Sequence, residues 1–102
     1  MSSNDVDCNE VTPSFTNVKG AFVLKSNLPP IVQVQLSNAL TRIYKIYGES
    51  EQRILKFQKE VTNFYSYVYW NVVRNFDNVT DYSVYYIYLQ MNNDRIFAFA
   101  YR

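Results

Sequence analysis

Histidine is absent from these 102 residues, and cysteine occurs once, as Cys8. Without imidazole there is no Ser–His or Cys–His pair and no His-containing zinc set, and a lone thiol closes no disulfide within the chain. Glycine is nearly as scarce. Gly20 and Gly48 are the only two, which excludes a glycine-rich loop that cradles phosphate. No apolar run approaches the ~18 residues of a membrane span. The uncharged stretch 61–73 is interrupted by Thr62, Asn63, Ser66 and Asn71. The opening residues are polar and acidic, the reverse of a secretory leader, so an intracellular, non-secreted chain is expected. Asn78-Val79-Thr80 matches the glycosylation pattern without a secretory setting for its use. Neither a metal nor a cofactor is called for.

Aromatic rings are what the chain has in excess: ten Tyr, seven Phe and one Trp. A chain of this length makes one small domain that buries about two-thirds of its unfolded surface, a modest core for so many rings. With 48% hydrophobic and 19% charged residues the composition is that of a globular protein. The net charge of +1 is unevenly spread. Residues 1–10 carry Asp5, Asp7 and Glu10 with no cation, which is −3, and the remaining ten basic and six acidic residues give +4. That is too weak for a basic patch driving nucleic-acid binding.

Residues 1–14 read as a mobile acidic tail carrying Cys8, and 15–102 as a single α+β domain. Ala21-Phe22-Val23-Leu24 places a strand within 15–25, stopped by Pro29-Pro30. Val32, Leu36, Ala39, Leu40, Ile43, Ile46 and Tyr47 keep helical spacing over 30–47, ending at Gly48. The alternation Val32-Gln33-Val34-Gln35-Leu36 also fits a strand over 31–36 followed by a shorter helix. Ile54, Phe57, Val61, Phe64, Tyr65, Val68, Val72 and Phe76 predict a second helix over 51–75 with Ser50 as its cap. An antiparallel hairpin follows, 82–90 and 95–101, turning at Asn92-Asn93-Asp94. A faint likeness between 17–23 and 93–99 suggests two strand/helix halves, about 15–48 and 50–102, with a cleft between them.

Two surfaces carry the functional expectation. On a helix over 51–75, Lys56, Asn63, Tyr67, Trp70 and Arg74 fall within about 60° of one another, opposite the core stripe. Tyr, Trp and Arg are the residue types that dominate binding hot spots. The alternative is that Tyr67 and Trp70 pack inside the fold. A two-residue hairpin turn puts Ser83, Tyr85, Ile87, Leu89, Ile96, Ala98 and Ala100 on one face and Val84, Tyr86, Tyr88, Phe97, Phe99 and Tyr101 on the other, and a three-residue turn exchanges them. Helices in one layer cover one of these faces; helices on both sides would cover each.

Three functions follow, in this order: a non-enzymatic module that binds a peptide segment or a second subunit, including a homodimer, through an aromatic groove; a single-stranded nucleic-acid binder that stacks bases on exposed rings; and an enzyme limited to carboxylate, Lys or Tyr chemistry. The segments Phe64-Tyr65-Ser66-Tyr67-Val68-Tyr69-Trp70 and Tyr82 to Tyr88 lie in a short Asn-rich chain. The whole chain resembles the small orphan proteins of crenarchaeal filamentous viruses of the Acidianus filamentous virus type. That resemblance implies a hyperthermophilic host's cytoplasm or a virion and an assembly or host-interaction role. It brings no catalytic motif.

Overall fold

The computed structural model describes residues 20–75 and 84–101. Within them the chain forms β1 (Phe22–Ser26), α1 (Pro30–Ile46), α2 (Ser50–Phe64), β2 (Tyr69–Arg74), β3 (Tyr85–Met91) and β4 (Asp94–Tyr101). The strands make one antiparallel sheet in the order β1-β3-β4-β2. The class is α+β, as the composition and periodicity predict. The acidic tail over 1–14 with Cys8, the start of the 15–25 region, and Phe76 to Ser83 lie outside the described residues. The first half runs strand then helix and the second runs helix then three strands.

α1 settles the ambiguity at 31–36 in favour of helix. Pro30 occupies the first helical turn, where a missing N–H breaks no intrahelical bond. Leu36, Ala39, Leu40, Ile43 and Tyr44 then reach the core at helical spacing. Before it, Ser26 Oγ accepts from the Leu28 N–H (3.0 Å) and donates to Tyr86 O (2.9 Å), so the proline turn is fastened to β3. Asn27 prolongs the ladder with its side chain: Nδ2 donates to Val84 O and Oδ1 accepts from the Tyr86 N–H.

The second helix is shorter than its periodicity predicts. α2 ends at Phe64, and Tyr69–Arg74, expected as its last turns, is strand β2. Ser50 is its first residue and does not cap it. The physical reason is a partner far along the chain. Tyr69-Trp70-Asn71-Val72-Val73 is aromatic and β-branched, and β4 offers it a continuous ladder from Tyr69↔Tyr101 to Arg74↔Ile96. The reversal between helix and strand is pinned by two hydrogen bonds, Trp70 Nε1–H to Tyr65 O (3.0 Å) and Gln58 Nε2–H to Trp70 O (2.9 Å).

The β3–β4 hairpin turns on Asn92-Asn93, with Met91 opposite Asp94 and Asn92 in the left-handed region at φ 55°. Asn tolerates that region better than most residues. A two-residue turn sets the parity of both strands. Ile87, Leu89, Ile96, Ala98 and Ala100 therefore meet Leu36, Leu40, Phe57 and Val61 of the helices in the core. Trp70 joins them from β2.

Strand geometry at 69–74 has a measurable consequence, because neighbouring residues face opposite sides. Trp70→Ala is expected to lower stability by about 3–5 kcal/mol. Tyr69→Ala, which removes an exposed ring paired across to Tyr101, costs under about 1 kcal/mol. Urea unfolding of the two variants reads the difference; equal losses would restore a helix through this segment.

Candidate functional site

Of the two expected surfaces, the helical stripe does not form and the hairpin face is closed at its centre. Because α2 ends at Phe64, the stripe that placed Lys56, Asn63, Tyr67, Trp70 and Arg74 on one helical face does not exist. Lys56 and Asn63 remain on the outside of α2, with the Lys56 ammonium 5.2 Å from the Tyr47 ring. Tyr67 sits in the turn before β2. Trp70, placed on the binding surface by the helical wheel, is 5% exposed and belongs to the core. Arg74 ends β2 and pairs with Asp94, Nη1 to Oδ1 3.2 Å.

The remaining five candidates share the sheet face opposite the helices, as the two-residue turn requires. Yet the centre of that face is not open. Phe97 is 2% exposed and Tyr88 is buried beside it, their rings edge to face at 5.7 Å, while Phe97 stacks on Phe99 at 4.9 Å. Tyr86 and Phe99 are half-buried, and the Lys25 ammonium lies 5.9 Å from the Tyr86 ring. The open rings are at the β2 side, where Tyr69 and Tyr101 pair across strands at 6.3 Å.

A more continuous apolar surface lies at the other edge of the sheet. Among the described residues β1 is an edge strand of the sheet, and α1 runs beside it. Between them is a groove of about 340 Å³ whose walls include Ala21, Phe22 and Val23 from the strand and Pro30, Val34 and Ser37 from the helix. Phe22 (56% exposed) and Val34 (55%) stand at this groove, and Leu24 and Ile31 are exposed on the same two elements. Residues three and four apart share a helix face, so Ile31 and Val34 adjoin one another there. α1 fixes the width of the groove through side-chain bonds to the main chain of Ala21, just before β1. Thr41 Oγ1 accepts from the Ala21 N–H (2.8 Å) and Ser37 Oγ donates to Ala21 O. Gly20 fits this junction because a Cβ would come within 3.1 Å of Thr41 Oγ1.

The sequence reading did not single out this groove, although a signal for it existed. Ile31 and Val34 fall outside the helical stripe of α1, and apolar residues left over from a core stripe need another explanation. The edge is partly guarded: a bulge between Val23 and Lys25, and Lys25 itself, interrupt the ladder and oppose long strand-to-strand pairing.

The most distinctive polar group is a lock at the far end of the helices. The Tyr44 hydroxyl donates to Asp94 Oδ2 at 2.7 Å, and Arg74 holds the other carboxylate oxygen. The Arg53 guanidinium lies 3.9 Å from the Tyr44 ring centroid and donates to the carbonyls of Tyr47 and Tyr44, which closes the C-terminus of α1. Burial, then the Asp94 carboxylate, pushes the Tyr44 hydroxyl well above the ordinary tyrosine value of 10.0. The arrangement clamps the C-terminal end of α1 to the β3–β4 turn. Among the described residues no cluster of three His, Cys, Asp or Glu side chains is placed to hold a metal, and no helix is long and apolar enough to cross a membrane. No family model matches the chain, and none of the curated proteins matches it.

Because the Tyr44 hydroxyl stays protonated to a higher pH in the folded state than in the unfolded one, its contribution is complete below pH 10 and is lost as pH rises from there through the higher folded-state value. Tyr44→Phe is expected to flatten this alkaline loss of stability while lowering stability at neutral pH, as the Asp94 carboxylate loses a donor. Urea unfolding from neutral to alkaline pH measures both; an unchanged alkaline slope would contradict the clamp.

Proposed function

We propose that this protein is a non-enzymatic interaction module that holds a short extended apolar peptide segment in the groove between β1 and α1. The observation that carries this reading is the joining of an edge strand to an apolar wall. An edge strand presents main-chain donors and acceptors to an incoming strand, and the groove receives its alternate side chains. Phe22 and Val34 on opposite walls supply the buried contact, and Asn38 and Gln33 line the same groove with amides for polar groups of the segment. The bulge and Lys25 confine pairing to the start of β1, which favours a short segment over open-ended stacking of copies.

This relocates the docking surface from the aromatic face to the neighbouring edge. Burial of Tyr88 and Phe97 removes the middle of the platform that base stacking needs, so a peptide is preferred over single-stranded nucleic acid. In the viral setting that the sequence resemblance implies, such a segment belongs to a virion subunit or to a host protein. Catalysis is not part of the proposal.

Selection of short random-sequence peptides displayed on phage against the full chain tests it. The expected peptides carry apolar residues at alternate positions and shift the amide resonances of residues 21–24 and 33–38. Val34→Glu places a charge in the groove on an exposed helix position. It is expected to weaken such peptides by about tenfold or more, the 1.4 kcal/mol or more of a lost apolar contact, with the melting temperature nearly unchanged. Peptides that bind Val34→Glu as tightly as the native chain would defeat the proposal.

A further inference from the structure

The end of α2, the turn before β2 and the start of β3 bring Tyr65, Tyr67, Trp70 and Tyr85 into one cluster. The Tyr65 and Tyr85 rings are stacked, with centroids 4.4 Å apart and planes 25° apart. The hydroxyls of Tyr67 and Tyr85 are 2.6 Å apart, and the Tyr67 ring stands edge-on to both other tyrosines. The indole of Trp70 lies nearly parallel to the Tyr85 ring at 6.4 Å and is tied to the Tyr65 main chain through Nε1. Tyr65 and Tyr85 pack against the core from outside, and the peptide groove does not involve them.

We propose that this cluster is an oxidative cross-linking site, at which a peroxide-driven one-electron oxidant joins Tyr65 to Tyr85 through a carbon–carbon bond. Each phenol gives up one electron and one proton. The two tyrosyl radicals couple at ring carbons ortho to the oxygens, and tautomerisation returns the two displaced ring protons to those oxygens. The protein loses two hydrogens in all, and one hydrogen peroxide takes up two electrons and two protons to become two waters.

The geometry assigns each residue a part. Stacking holds the two coupling rings in contact, so the radicals form as a neighbouring pair, and the rings turn edge to edge as the bond forms. The Tyr67 hydroxyl accepts the proton that Tyr85 releases and passes it to solvent, to which Tyr67 is open. Trp70, in line with Tyr85, lets an electron vacancy formed in the core reach the pair. Among the described residues no other two tyrosines stack this closely; Tyr69 and Tyr101 are 6.3 Å apart and tilted by 40°. The bond would close a loop containing all of β2 and fasten the end of α2 to β3. In a chain whose only thiol is Cys8, tyrosine coupling is the covalent staple that the side chains permit.

Treating the full chain with hydrogen peroxide and a haem peroxidase tests this. The expected product is a monomer lighter by two hydrogens, with blue dityrosine fluorescence, in which tandem mass spectrometry links the peptides bearing residues 65 and 85. Closing a loop of this length should raise the melting temperature on the order of 10 °C. Tyr65→Phe and Tyr85→Phe each abolish the linked peptide, and Tyr101→Phe leaves its yield unchanged. A bond mapped to Tyr69–Tyr101, cross-links formed only between molecules, or an undiminished yield in Tyr85→Phe would overturn the assignment. If Tyr85→Phe fails to fold by circular dichroism, the peptide map of the native chain decides alone.

Discussion

The parity of the central hairpin governs this structure. With a two-residue turn at Asn92-Asn93, every odd-numbered residue of β3 and every even-numbered residue of β4 faces the helices. At the centre those positions are aliphatic, Ile87, Leu89, Ile96, Ala98 and Ala100, with Tyr85, Met91 and Asp94 toward the strand ends, while the opposite positions hold Tyr86, Tyr88, Phe97 and Phe99. One additional turn residue would place the rings against α1 and α2 and the small aliphatic side chains outside. The small alanines of β4 matter as much as the large residues, because Trp70 stands directly opposite Ala100 and fills the volume that a larger residue would occupy.

From that parity the layers follow. α1 and α2 close over the aliphatic face and bury Leu36, Leu40, Phe57 and Val61. With β3 and β4 in the middle, β1 and β2 become the edges, and their fates differ. β2 brings Trp70 into the core and leaves Tyr69 outside. β1 is tied to α1 through Ala21 and keeps an apolar groove along its other boundary. Tyr44, Asp94, Arg53 and Arg74 clamp the distant end, so the helix hairpin and the strand turn are held as one unit. The two proposed functions use separate regions: the peptide groove depends on β1 and α1, and the tyrosine pair depends on the junction of α2, β2 and β3.

Much of this could be read from local pattern. The aliphatic stripe of α1 was strong enough to outweigh the alternation at 31–36, and the hairpin faces followed from residue parity once the turn length was known. The misread segment is instructive. Val61, Tyr65, Val68 and Val72 keep helical spacing, but Trp70 and Val72 also alternate, and Tyr69 to Val73 has the aromatic and β-branched content of a strand. Two periodicities coexisted, and nothing within the segment ranked them. Helical spacing displaced Trp70 from the core to a binding surface and joined it to Lys56 and Asn63, which stay on the outside of α2.

Composition and local periodicity determined the fold class, the extent of α1, the alternation of the hairpin residues into two sets and the exclusion of imidazole chemistry, because each depends on residues within a turn or two of one another. The tertiary structure decided where α2 stops, since that depends on hydrogen bonds offered by β4 about thirty residues away along the chain, a distance over which local propensity carries no information. It also decided which rings are covered and which apolar residues line an edge, because burial is a property of the neighbours a side chain acquires and not of its type.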